Sequence, residues 1–477
     1  MTTTPQRVDL ADVQGLLRYG FKHHVESVFL ALRVRDRAAA RAWLAQAPVT
    51  NAVPQKTLPS TVLQVALGAE GLAALGVADD ITAAFSPEFI SGLAGLPERS
   101  RRLGDTGAND PAEWAWGSGP RTAHVLLLLY ALPGSLDAFE SAIQTQCASA
   151  FDVVARLTTT DMGGIEPFGF TDGISQPDID WDGTRRMGDE DKVLHYGNEV
   201  CLGEFVLGYR NEYGLYTDRP LLDPQRDPRA LLPRAEDRPD QADLGRDGSY
   251  LVLRQLEQDV AGFWRWIDQA THGDATEREL LAAAMVGRTK TGEPLAGCGD
   301  RGLNRFDFDA DPGGLRCPLG AHVRRANPRT SDMPAGTGGP ISQLVRTLGF
   351  DATARQHDLV ASARLHRLLR RGREYRVGDE PREGLHFVAL NANIARQFEF
   401  VQAAWIASAH FNGLSGEVDP LLGTRSPSTG AESADAFSHP GDDQPNRRET
   451  GLPRFVTVRG GGYFFLPGLR ALRYLLE

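Results

Sequence analysis

Apolar spacing along this chain changes period in a repeated way. Val28 to Leu44 begins as an alternating apolar strand and, after a charged residue, takes up helix-period spacing. Tyr250 to Ile267 makes the same change. His124 to Ile143 and His386 to Ile406 each read as a strand, a short turn and an amphipathic helix. Gly163 to Thr171 and Gly460 to Pro467 form a third pair, each a glycine-led, aromatic-rich strand. This order predicts an α+β chain of duplicated βαββαβ, ferredoxin-like units of the dimeric α+β barrel type. The boundary falls between Pro177 and Gly248, and the units are set at residues 1–190 and 191–477. Thr217 to Asp247 is charged and proline-rich, so it predicts a loop without a core of its own. Arg425 to Pro453, polar and followed by a strand, predicts a long surface loop.

Composition narrows the class without naming a function. The 477 residues are 41% hydrophobic and 24% charged, ordinary for a globular chain with a real core. A net charge of −11 argues against a general nucleic-acid binder, which neutralises phosphates with basic patches. The longest strongly apolar run, Val125 to Leu132, is far short of the ~20 residues of a spanning helix. No export leader or twin arginine is seen at the N-terminus. Cys147, Cys201, Cys298 and Cys317 are widely spaced, so the cytoplasm is the expected setting.

Some motifs lead nowhere. Gly287 to Gly292 (GRTKTG) lacks the phosphate-loop frame and reads as a turn, and Gly336 to Pro340 has no basic residue to meet phosphate. No serine-hydrolase elbow or zinc-protease motif occurs. Three segments remain. In Phe168 to Pro177 (FGFTDGISQP), Asp172 lies between residues that let the backbone approach a flat ligand, Gly169 and Gly173. Beside Phe168 and Phe170 its carboxylate would be partly desolvated and suited to moving protons. The same residues also suit an ordinary Asx-turn. In Cys317 to Arg329 (CPLGAHVRRANPR), His322 follows Gly320 and Ala321 and can point into a pocket as a ligand to a metal or haem iron. Arg324, Arg325 and Arg329 can pair with ligand carboxylates, while a structural histidine on a basic turn fits equally. His366 to Tyr375 (HRLLRRGREY) reads, taken alone, as a solvated helix end stopped by Gly372.

Together and in this order, the three segments resemble the dye-decolorising peroxidase family, whose hallmark G-x-x-D-G is here Gly169 to Gly173. The resemblance runs from about residue 10 to 475 and includes DVQGLLRYG, GEFVLGYRNEYG, GSYLVLRQLEQDV and FVTVRGGGYFFLPGL. The inserts are closer to the larger bacterial–fungal branch. It implies haem b in the C-terminal half and a peroxidase that reduces hydrogen peroxide through a ferryl haem and oxidises dyes, phenols or other one-electron donors. It implies His322 as the iron ligand and Asp172 as the distal acid–base. Arg370 is the implied distal arginine, with Arg371 the alternative because the arginine pair leaves the register open by one. Gly173, Ile174, Ser175, Gln176, Arg325 and Arg329 are the further cofactor-binding residues. Two departures stand out: Glu374-Tyr375-Arg376 replaces the frequent Pro-Tyr-Gly, and Arg454 stands where some members carry a carboxylate for the proximal imidazole. That partner is therefore unassigned, with Asp419 a weak candidate. The implied partners are peroxide and a reducing aromatic substrate, with homo-oligomers left open. A haem carrier or iron-release protein of the same fold is the rival reading, and an intact Asp172 with a distal arginine favours the enzyme.

Overall fold

The computed structural model describes residues 7–183, 198–297, 302–308, 310–327, 329, 362–378, 382–425, 434–441 and 444–477. Within them, nine strands form one antiparallel sheet. The first half contributes β1 (Glu26–Val34), β2 (Thr61–Leu67), β3 (Val125–Ala131) and β4 (Phe151–Thr158). The second contributes β5 (Ser249–Gln258), β6 (Leu369–Arg370), β7 (Arg373–Val377), β8 (Arg382–Asn391) and β9 (Val456–Leu466). The order is β6–β8–β5–β9–β2–β3–β1–β4, with β7 also paired to β8. In each half the first strand lies between the last two, β1 between β3 and β4 and β5 between β8 and β9, and the halves join where Phe465 of β9 faces Leu67 of β2.

Period-2 spacing explains why both faces are covered. Val28, Leu30, Val65, Leu127, Val252 and Phe465 point to one apolar cluster. Their neighbours Phe29, Ala31, Ala66, Leu126, Leu251 and Phe464 point to the other. The charged residue that ends each opening strand is a helix cap. Asp36 accepts from the Ala39 amide to start α1 (Arg37–Gln46), and Asp259 accepts from the Gly262 amide to start α3 (Val260–Ala270). Between them in the chain, α2 (Leu136–Cys147) follows β3. The corresponding helix after β8 is π-type, Ala395–Glu399 continuing as Val401–Ile406.

Three local expectations change. The fourth strand of the first half is Phe151–Thr158, and Gly163 to Thr171 is a folded turn with only an Ile165–Thr171 bridge. Gly163, Gly164 and Gly169 have φ of 67°, 77° and 99°, which breaks an extended run. The segment from Arg425 to Pro453 carries a hairpin, Phe437–Gly441 against Gln444–Glu449. His366 to Tyr375 is no solvated helix end: the helix stops at Leu365, and the basic run enters β6 and β7. Gly372 is needed there for a different reason, since a Cβ would lie 2.7 Å from the His386 carbonyl oxygen. Thr217 to Asp247 is mostly irregular, yet it sends Leu222, Leu232 and Leu244 into the main apolar cluster and buries Arg219 on Asp243 at 2.7 Å. Among the described residues no helix is long and apolar enough to cross a membrane. Residues 336–340 and Cys298 lie outside the described residues.

Candidate active site

Helix α4 (Ala275–Val286) precedes the turn that GRTKTG forms, and α5 (His322–Ala326) begins at the candidate histidine. One cavity lies between these elements and the β5–β8–β9 part of the sheet. Asp172, Ile174, Ser175, His322 and Arg370 all line it.

On the α5 side, His322 Nδ1 lies 2.9 Å from Asp419 Oδ2. The other carboxylate oxygen accepts from the Leu421 and Leu422 amides at 2.9 and 2.8 Å. Asp419 is fully buried. Burial works to raise its carboxyl, but the neighbouring His322, their hydrogen bond and Arg325 outweigh it and hold the group below its ordinary range. With Nδ1 engaged, Nε2 is the imidazole nitrogen left to meet a ligand. The partner that the sequence left unassigned is therefore Asp419, far away in sequence and adjacent in space.

Elsewhere on the cavity wall, the Asp172 turn is held in part by its own main chain. Its amide donates to the Gly164 carbonyl at 2.8 Å, and Gly169 and Gly173 hold φ of 99° and 72°. Arg370 donates through NH1 to Asp172 Oδ1 at 3.4 Å and through NH2 to the Ser175 carbonyl at 3.2 Å. Both side chains of this pair are one-third exposed, so the carboxylate and guanidinium stay reachable from the cavity. Arg371 is excluded from this role. Its guanidinium is turned to the carbonyls of Leu16, Leu17 and Arg18, and burial pushes it down to about 10.

The remaining predicted residues divide. Gly173, Gln176, Arg325 and Arg329 are not among the cavity-lining residues. Gln176 accepts from the Arg370 amide at 3.0 Å and so sets the register of β6. Arg325 donates to the carbonyls of Gly320, Trp405, Ser408 and Glu417, which makes it an internal clamp behind α5. Arg329 is fully buried and donates to Ser175 Oγ at 3.1 Å. Arg288 donates to the same hydroxyl at 2.6 Å and does line the cavity. Two guanidiniums therefore converge on one cavity-wall serine. Nothing in the residue pattern points to Arg288, because a turn reading of GRTKTG is blind to where its arginine points. Glu166 was also missed. It lines the cavity, and burial pushes its carboxyl up to about 7 despite hydrogen bonds that favour the charged form.

The fold and this site define a class: an α+β chain in which a carboxylate-backed histidine shares one cavity with an acid–arginine pair. No family model matches the chain. Full-length comparison does. The chain is 28% identical over 503 residues to a dye-decolorizing peroxidase of Mycetinis scorodonius, covering 98% of this chain and 88% of the relative. It is 28% identical over 458 residues to a multifunctional dye peroxidase of Amycolatopsis sp., covering 88% and 83%. The fold is similar to a crystal structure of a fungal DyP-type peroxidase from Auricularia auricula-judae, with a TM-score of 0.72, 22% identity and 99% of each chain covered. Fungal and bacterial DyP-type peroxidases are thus homologues of this chain over nearly its whole length, and the fold matches theirs.

Proposed function

We propose that this protein is a haem b peroxidase that reduces hydrogen peroxide and draws electrons from dyes, phenols or other one-electron donors. One observation carries the reading: His322 on its buried Asp419 shares a cavity with Asp172 beside Arg370. The donor set suits haem. A histidine held at Nδ1 by a carboxylate is oriented and made more basic as an iron ligand. Arg288, in the cavity wall, would offer positive charge to a haem carboxylate, with the buried Arg329 behind it on the same Ser175 hydroxyl. When bound, haem supplies the oxidising chemistry, and the chain supplies binding, orientation and electrostatics.

The chain's own part is proton handling. Asp172 would accept a proton from one oxygen of hydrogen peroxide and return it to the oxygen that leaves as water. Arg370 holds positive charge where the leaving oxygen becomes negative, in a site partly withdrawn from water. The reading extends to the architecture: two ferredoxin-like units, residues 1–190 and 191–477, with haem in the second. The shared strand order of the two halves supports that division. A cytoplasmic setting completes the proposal, supported by widely spaced cysteines.

The test is peroxide turnover of the haem-loaded protein with a phenol or dye, in wild type, His322→Ala and Asp172→Asn. The reading expects wild-type turnover well above free haem and loss in both variants. Full haem binding and turnover in His322→Ala would sink it. Equal, free-haem-like activity in wild type and Asp172→Asn would favour a carrier.

A further inference from the structure

We propose that Glu166 is the positioning residue for Asp172, tying the turn that carries the acid to the same sheet that carries Arg370. The kinetic half of this inference rests on the peroxidase reading above; the structural half does not.

Other bonds tie the far end of the turn: the Asp172 amide donates to the Gly164 carbonyl at 2.8 Å, and the Thr171 amide and hydroxyl donate to the Lys290 carbonyl at 3.1 and 2.7 Å. Its one bridge, Ile165 to Thr171, is isolated, and its glycines at 163, 164, 169 and 173 all have positive φ. Glu166 gathers the loose ends. Its Oε1 accepts from the Phe170 amide at 3.0 Å, and its Oε2 accepts from the Phe168 amide at 3.0 Å. Its carbonyl accepts from the Gly169 amide at 2.8 Å, and its own amide donates to the Phe170 carbonyl at 2.9 Å. Three successive amides thus end on one residue, which turns Phe168 and Phe170 into buried anchors four and two residues before Asp172.

The same carboxylate reaches outward. Gln258 Nε2 donates to Oε2 at 2.8 Å, and Gln258 lies on β5 opposite Glu383 of β8. Arg370 lies on β6, opposite Ala389 of that same β8. A continuous path of paired groups therefore runs from the turn through Glu166, Gln258, β5, β8 and β6 to Arg370. Asp172 and Arg370 must act on one small molecule, so their relative placement decides the rate, and a misplacement of about 1 Å can cost ~100-fold. No side chain on this path other than Glu166 accepts from both the turn and the sheet.

The experiment has two arms. On the haem-free full chain, amide hydrogen exchange of a peptide spanning 166–172 should speed at least tenfold in Glu166→Ala and less in Glu166→Gln. The amide of the latter keeps one acceptor oxygen. Exchange elsewhere should stay unchanged. On the haem-loaded chain, the rate of the first reaction with peroxide should fall ten- to a hundredfold in Glu166→Ala. The KM for the reducing substrate and the Soret position should hold. In an Asp172→Asn background, Glu166→Ala should cost nothing more, because it acts only through Asp172. Unchanged exchange in the 166–172 peptide overturns the proposal, and so does an equal loss with and without Asp172. If Glu166→Ala does not fold, Glu166→Gln decides by the same two measurements. Faster local exchange in a wild-type background that never reacts with peroxide would instead strike the peroxidase reading and leave the anchoring role standing.

Discussion

Asp419→Asn tests the histidine arrangement most sharply, because the substitution keeps shape and removes charge. In the native protein one carboxylate serves two clients: Oδ2 meets His322 Nδ1 at 2.9 Å, and Oδ1 accepts from the Leu421 and Leu422 amides. An amide has one acceptor oxygen. Whichever client it keeps, the other faces an NH₂ group inside a fully buried site. Losing a hydrogen bond to a charged group costs about 1.5–3 kcal/mol. At 1.4 kcal/mol per decade that is about 10- to 100-fold in ligand affinity, the range typical for partners of metal-bound histidines. Equilibrium haem titration, followed by the Soret band at pH 7, should show that weakening in Asp419→Asn. The pH dependence has a definite sign. The folded Asp419 carboxyl sits below its ordinary range, so its stabilisation is present at neutral pH and is lost as pH falls through the folded value. The variant should lose that acid-side dependence. Haem affinity within threefold of wild type, with the same acid limb, would refute the reasoning.

Other outcomes follow from neighbouring groups. Asp172→Asn should slow the first reaction with peroxide by about 10²–10⁴, the usual worth of a general acid–base, and leave haem affinity nearly unchanged. Stopped-flow mixing with peroxide checks it. Arg370→Leu and Arg371→Leu should separate cleanly. The first slows that step with little change in melting temperature. The second breaks bonds to three carbonyls and destabilises the fold by about 3 kcal/mol or more, visible in thermal melts. Asp247 is pushed by burial up to about 7, beside Tyr209 and Asp12. A raised carboxyl means the folded state holds more protons than the unfolded one. Stability therefore falls as pH rises from about 4 to about 7. Denaturant melts should show Asp247→Asn flattening that fall and gaining most over wild type near pH 8.

What was legible in the sequence was periodic or motif-bound. Strands such as β3, apolar at every position, and caps such as Asp36 and Asp259 announce themselves locally, and in two of the three matched segment pairs both members form the strand and helix expected. The third failed because aromatic content mimicked a strand while glycines at positive φ folded Gly163 to Thr171 into a turn. The basic run at 366–375 misled for a related reason. Charge usually means solvent, but Arg367 is buried, and Arg371 and Arg373 spend their donors on main-chain carbonyls. Asp172, His322 and Arg370 were visible because motifs are contiguous. Asp419 was only a weak candidate, and Arg288 and Glu166 went unseen, because each acts across a fold that brings distant residues together, and no local pattern encodes the meeting.

The account's central claim is that His322 and Asp172 face each other across a haem that reacts with peroxide. An absorption spectrum of the haem-loaded protein, before and after one equivalent of hydrogen peroxide, tests it most directly. The account predicts a histidine-ligated Soret band that peroxide shifts at once in wild type, slowly in Asp172→Asn, and that is lost or altered in His322→Ala. A Soret band that is absent, or that is indifferent to both peroxide and the loss of His322, would contradict it.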